Sequence, residues 1–169
     1  MKNTQKIGHL RLGWLKFPAV FLCLFFLNFN IAASMVSFYI IETGVPENAR
    51  VFQHSISWEN AFLEVFFDSG FIVSNAPILR LDEKEKPDSD ILTYVNVEEA
   101  ERAGIDYMVI ARLDYNADLI ASEISFFIYK VTPNRKLMES QVQIKPAKTT
   151  REEYDYMKTV ARGLLGYIE

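Results

Sequence analysis

His54 is one of two histidines in the chain; the other, His9, lies near its start. A histidine activates a nucleophile only when an acid orients it, and the acids nearest in sequence are Glu59 and Asp68. The structural alternative makes His54 a loop residue just ahead of a helix start, and this is the reading preferred. Carboxylates are densest in Asp82-Glu83-x-Glu85 and Asp88-x-Asp90, but Lys84 and Lys86 are interleaved and no glycine supplies the turn of a calcium loop. No metal site is therefore expected. Asp106, Asp114 and Asp118 bracket an apolar run, and the ends of strands in α/β sheets are where ligands often bind. They form the candidate ligand site, although strand-end and turn chemistry, following the turn preferences of aspartate, is the preferred account of them. Gly44, Gly70 and Gly104 are isolated, so they read as turns and caps rather than as a phosphate loop. The one cysteine, Cys23, stands in an apolar stretch preceded by Leu22, where a lipobox needs a small residue. No catalytic residue, cofactor or metal is expected, and the chain is read as a non-enzyme.

These residues must be positioned by regular elements. Val36 to Thr43 is rich in β-branched and aromatic residues and predicts a strand, ended by Gly44 and Pro46. Trp58, Ala61, Phe62, Val65 and Phe66 fall on one helical face, with Ser57 as N-cap and Gly70 as the stop. Phe71 to Leu81 is a second extended segment, interrupted by Asn75 and Pro77, which favours an edge or a bulge. Segment 82–90 is charged and reads as a solvated loop. Asn96 and Glu99 make a capping pair for a short helix ending at Gly104. Asp106 to Leu113 reads as a central strand buried on both faces. Leu119–Val131 and Leu137–Lys145 form a hairpin, with Ile120, Ile124, Phe126 and Ile128 on one face of the first strand. Thr150 caps a last helix whose stripe is Tyr154, Met157, Ala161, Leu164, Leu165 and Ile168. The fold expected is α/β (α+β): a single mixed β-sheet packed by helices in the order β-α-β-α-β-β-β-α.

Ahead of this domain lies a leader. Lys2, Lys6, Arg11 and Lys16 precede the apolar run Phe17–Leu27, and Ala32 and Ser34 are the small residues a signal peptidase needs for a cut before Met35. The competing reading is an uncleaved anchor, since no formal charge occurs from Phe17 to Ile41. Residues 1–34 are thus a signal peptide or anchor, and 35–169 a single exported domain. Either way the body lies outside the cytoplasm, in the periplasm or tethered to the inner membrane and facing it. The whole chain carries −4, and the leader contributes four positive charges, so the body carries about −8 with histidine neutral. That balance argues against nucleic acid or anionic lipid as a partner, and membrane contact is expected only through an uncleaved N-terminal segment.

Phe67 lies off the helical stripe, and Phe127 and Tyr129 face away from Phe126 and Ile128. Either helices cover both faces of the sheet, the reading favoured because the last helix needs a bed, or Phe67, Phe127 and Tyr129 form a partner patch. The run Gly104-Ile105-Asp106-Tyr107-Met108-Val109-Ile110-Ala111-Arg112-Leu113 is similar to the strand entry of a periplasmic α/β family. That family includes the amino-terminal domain of TolB, CsgG-like secretion components and lipoprotein activators of peptidoglycan synthases. Gly70-Phe71-Ile72-Val73-Ser74, and Phe126 to Val131 followed by Leu137-Met138-Glu139-Ser140, resemble its other strand entry and its hairpin. These strings punctuate a fold and contain no active site. The resemblance therefore implies a non-enzymatic cell-envelope module that works through protein partners. The runner-up is a small-ligand-binding domain or carboxylate enzyme with its site near the end of the central strand.

Overall fold

The computed structural model describes residues 33–46, 53–81 and 91–168. The leader up to residue 32 and the carboxylate-rich segment 82–90 lie outside the described residues. A six-stranded mixed sheet forms the body. Strand β1 (Met35–Thr43) pairs in parallel with β2 (Ile72–Asn75) and β3 (Leu79–Arg80) on one side and with β4 (Tyr107–Tyr115) on the other. Strands β5 (Ala121–Lys130) and β6 (Arg135–Gln143) continue the sheet in antiparallel fashion, giving the order β2-β1-β4-β5-β6. A break at residues 76–78, which holds Pro77, splits the second extended segment into β2 and β3, both laid along β1.

Helix α1 (Gln53–Asp68) links β1 to β2, and a 3-10 turn (Ile91–Tyr94) with helix α2 (Val97–Arg102) precedes β4. The chain crosses the sheet in opposite directions in these two connections. Right-handed crossovers therefore place α1 and α2 on opposite faces. One face of β1 (Val36, Phe38, Ile40) is buried against Trp58, Phe62 and Phe66 of α1 and against Met157, Ala161 and Leu164 of helix α3 (Thr150–Leu165). Phe38 stacks on Phe62 at 5.7 Å and meets Phe66 edge-on at 5.0 Å. Each such ring contributes about 1.5–3 kcal/mol by leaving water. The other face buries Ile41, Met108 and Ile110 beneath Ile91, Val95 and Ala100.

That second layer decides between the two readings of the aromatics: coverage of both faces, the one favoured, holds, and the partner patch does not. Phe127 and Tyr129 are 8% and 4% exposed, within the second core cluster, whereas Phe67 is 68% exposed on α1. The three do not form one patch. The sheet is covered on both faces, but α3 beds on the α1 side and the short 3-10 and α2 segment lies over Phe127 and Tyr129.

Several boundaries move. Ser57 is inside α1, its hydroxyl donating to the Gln53 carbonyl at 2.9 Å, so the helix starts a turn earlier and His54 lies in that turn rather than in a loop. Thr149, not Thr150, caps α3: its extended backbone aims the hydroxyl at the Glu152 N–H, 3.1 Å away. Ile120 precedes β5 and is exposed, while Ile124, Phe126 and Ile128 are buried on one face. The Asn96 cap accepts from the Glu99 N–H at 3.0 Å as expected, and Gly70 is left-handed, with φ 90°.

Gly44 ends β1 with φ 74°, and a Cβ there would overlap the carbonyl oxygen of Tyr115 at the end of β4. Gly104 has the same φ with open space around it. Gly44→Ala is expected to lower unfolding free energy by about 2–4 kcal/mol, and Gly104→Ala by about 1–2 kcal/mol, in urea titrations of the two variants. Equal losses would show that the close approach at Gly44 is not limiting.

Candidate functional site

The carboxyl ends of β1 and β4 meet where the two crossovers diverge, the position at which open α/β sheets form a crevice. A cavity of about 650 Å³ opens beside the end of β4. Four pieces of chain wall it: the first turn of α1 (Gln53, His54), the end of β4 with the turn into β5 (Tyr115, Leu119 to Ser122), the end of β6 and the segment after it (Gln143 to Ala147), and Glu153 in the first turn of α3.

Asn116 builds the turn. Its side-chain oxygen accepts from the Asp118 and Ile120 N–H groups, both at 3.0 Å, and its backbone closes the loop with Leu119 and Ile120. Leu119 is held at φ 58°, a left-handed conformation that costs a branched side chain about 1–2 kcal/mol. The result is that Leu119 and Ile120 project at the mouth of the cavity, 39% and 62% exposed.

Most polar groups at the inner end pair with one another. His54 Nε2 lies 3.2 Å from Glu153 Oε1. Burial is the larger influence on His54 and holds its imidazole below the ordinary 6.5, against the upward pull of Glu153. The neutral ring then donates from Nε2, and Nδ1 is buried with no partner. Ser55 and Tyr115 share a buried hydrogen bond of 2.8 Å, and burial pushes the Tyr115 phenol up to about 12. Ser122, on the cavity wall, donates to the Asp114 carbonyl at 3.3 Å. Such an arrangement offers an apolar bed with fixed hydrogen-bonding groups and, among the described residues, no hydroxyl bonded to the histidine.

The acids paired with His54 by sequence proximity are elsewhere. Glu59 accepts from Asn75 Nδ2 at 3.0 Å, and Asp68 lies at the far end of α1, roughly 21 Å along the axis. Glu153 takes their place, about a hundred residues on, which no local spacing signals. Nor do the three aspartates converge. Asp106 precedes β4 and accepts from the Met35 N–H at 2.8 Å, while Asp114 is near the opposite end of that strand, roughly 26 Å away. Asp114 accepts from Thr43 and from Arg112, whose Nη2 also reaches Ser125 at 3.2 Å. Asp118 is exposed in the Asn116 turn. Glu42, also unmarked by sequence, is fully buried and takes two hydrogen bonds from Arg80, at 3.1 and 2.9 Å. Among the described residues no cluster of three or more potential metal ligands occurs, and no helix is long and apolar enough to cross a membrane.

A family model described as "Uncharacterised protein" matches residues 40–157. No curated protein matches the chain. Among solved structures, the chain is similar to TolB from Acinetobacter baumannii, with a TM-score of 0.48 and 12% identity over 80% of this chain and 28% of that one. It is also similar to the PelC dodecamer from Paraburkholderia phytofirmans, with a TM-score of 0.49 and 13% identity over 80% and 87% of the two chains. Lipoprotein GNA1162 from Neisseria meningitidis gives a TM-score of 0.48 and 9% identity over 79% and 96%. The chain spans 28% of the length of that TolB.

The His54 geometry fixes a pH dependence. Because its folded pKa lies below the unfolded value, the unfolded chain binds the extra proton first, and stability falls as pH drops through about 6.5. Proton NMR is expected to place the His54 midpoint below 6.5, with Glu153→Gln moving it lower still. Urea unfolding at pH 7.5 and 5.5 should show a loss that His54→Gln reduces. A midpoint above 6.5 would mean that Glu153 dominates.

Proposed function

The chain belongs to the uncharacterised family whose model spans residues 40–157, a range that includes the whole cavity wall, and we propose that it is an exported cell-envelope module acting by contact with a protein partner rather than by turnover. The observation that carries this reading is the knuckle at the cavity mouth. Two large apolar side chains project there on a turn whose backbone is held in a costly conformation. Exposed apolar groups grouped beside a concavity are what a partner's side chains bury on docking. The pairing of His54 Nε2 with Glu153, and of Ser55 with Tyr115, supports a binding role, since the one unpartnered ring nitrogen, Nδ1, is buried. The basic, apolar leader supports export to the periplasm or an inner-membrane tether facing it. The acidic body supports a partner other than nucleic acid.

A second reading rests on the same cavity. Its volume of about 650 Å³ falls within the range of small-ligand sites, which makes a ligand-binding domain the alternative.

A photo-cross-linking residue in place of Ile120, in the full chain in intact cells, is expected to give a discrete adduct with an envelope protein. The same residue in place of Phe67, at the far end of α1, should not. Ile120→Asp should abolish capture from position 119 while leaving stability within about 0.5 kcal/mol, because the side chain is exposed. A folded domain that gives no adduct from either position of the knuckle would remove the protein-partner reading and leave the small-ligand one.

A further inference from the structure

Two independent features converge on the bond between Ser34 and Met35. Ala32 and Ser34 give the small residues a signal peptidase requires, and β1 begins at Met35. The first register pairs of the sheet are Met35 with Ile72 and Val36 with Tyr107. Among the described residues, the only hydrogen bond the sheet takes from upstream of Met35 is from the Ile72 N–H to the Ser34 carbonyl, 3.0 Å long. Ile72 opens an edge strand and is 49% exposed, so water can replace that acceptor. Met35 itself is gripped from both sides by one residue. Its N–H donates to Asp106 Oδ2 at 2.8 Å, and its carbonyl accepts from the Asp106 N–H at 2.9 Å.

We infer that Ser34–Met35 is a processing bond and that Asp106 is the residue that receives the α-amino group freed by the cut. The inference rests on the export reading but not on the cavity. The cut itself falls to a small-residue-specific peptidase acting on the extended chain during translocation. Water adds to the Ser34 carbonyl carbon, the C–N bond to Met35 breaks, Ser34 leaves as a carboxylate and the Met35 nitrogen departs as an ammonium. In the uncut chain Asp106 faces a neutral amide; in the cut chain it faces a cation at the same nitrogen. A neutral-donor bond thereby becomes a charge-assisted one, the stronger kind. Processing then seals the start of the first strand instead of leaving it frayed. The other charged groups on elements packed around this corner are Lys130 at the end of β5, Glu101 and Arg102 of α2, and Asp68 at the end of α1. Lys130 lies over the Tyr107 ring, 5.9 Å from its centroid, and Arg102 pairs with Glu98 at 3.5 Å.

Intact mass of the full chain after expression with its leader in exporting cells is expected to show a protein beginning at Met35. Thermal unfolding of that protein is then followed from pH 6 to 10. Pairing with Asp106 raises the folded α-amino pKa above the free value of about 7.7–8.0, so the ion pair's contribution is present below that range and is lost as pH rises through the folded pKa. Asp106→Asn should lower Tm by roughly 3–5 °C at pH 7 and by less than about 1 °C at pH 10. A chain whose cut is blocked by Ala32→Lys has no α-ammonium at Met35, and should lack the alkaline limb even if Asp106→Asn fails to fold. An intact leader in the isolated protein would overturn the processing site. A Met35 start with an alkaline limb unchanged by Asp106→Asn, or a limb retained by the blocked chain, would overturn the role of Asp106. Neither failure touches the adduct at Ile120, so this inference and the proposed function fall separately.

Discussion

Strands β1 and β4 lie side by side in parallel, and neither can leave a face to water. Val36, Phe38, Ile40, Val109, Ala111 and Leu113 fill one core cluster, and Ile41, Met108 and Ile110 the other. Apolar pressure on both faces demands two layers of cover, and the handedness of parallel crossovers decides which segment supplies each. Helix α1 goes to one face; the 3-10 turn and α2 go to the other. Helix α3 then has a single open position, beside α1 on the larger face. There Glu64 of α1 takes hydrogen bonds from Tyr154 at 2.9 Å and Lys158 at 2.7 Å, and the start of α3 brings Glu153 to His54.

The same two strands give the domain two unlike ends. At their amino ends, Asp106 ties β4 to the first residue of β1 through side chain and backbone. At their carboxyl ends, Gly44 must pass so close to the Tyr115 carbonyl that no side chain fits, and the chain leaves to form the cavity wall. Glu42, one residue from the end of β1, is fully buried and matched by Arg80 directly across the β1–β3 register. Loss of Arg80 would take two charge-assisted hydrogen bonds from a carboxylate in the interior, a destabilising change. The carboxyl end is therefore fixed in place by a glycine and an ion pair before any cavity residue is considered.

Much of this architecture was legible in the sequence, for physical reasons. The strand at 36–43, the helical stripe from Trp58 to Phe66 and the apolar run after Asp106 are each dictated by burial, and burial imposes a period. Left-handed Gly70 and the Asn96 cap were legible because only a few residue types serve those positions. Boundaries set by competing hydroxyls were not: Ser57 satisfies itself on the Gln53 carbonyl, and of two adjacent threonines the earlier becomes the cap. The fate of Phe127 and Tyr129 depended on a six-residue helix and a 3-10 turn whose reach has no local signature. The site was least legible. His54 stood out by its rarity, but its partner Glu153 is joined to it only through the packing of α3 on α1. Asp106 and Asp114, grouped by sequence, are held apart by the full length of β4.

The division between scaffold and surface is what the proposed contact role of the knuckle would draw on. Leu119 and Ile120 are held by bonds within the Asn116 turn and contribute nothing to either core cluster. Their side chains project outward, whereas Tyr115 and Ala121 on either side are buried. A change of shape or polarity at the two projecting positions alters what the cavity mouth presents without disturbing the strands that support it. The cost of the left-handed backbone at Leu119 falls on the turn alone, and the core is large enough to bear about 1–2 kcal/mol. Under the proposed contact role, strand ends fixed by the core and an independently closed turn would give the mouth a set geometry and leave two side chains to match a partner.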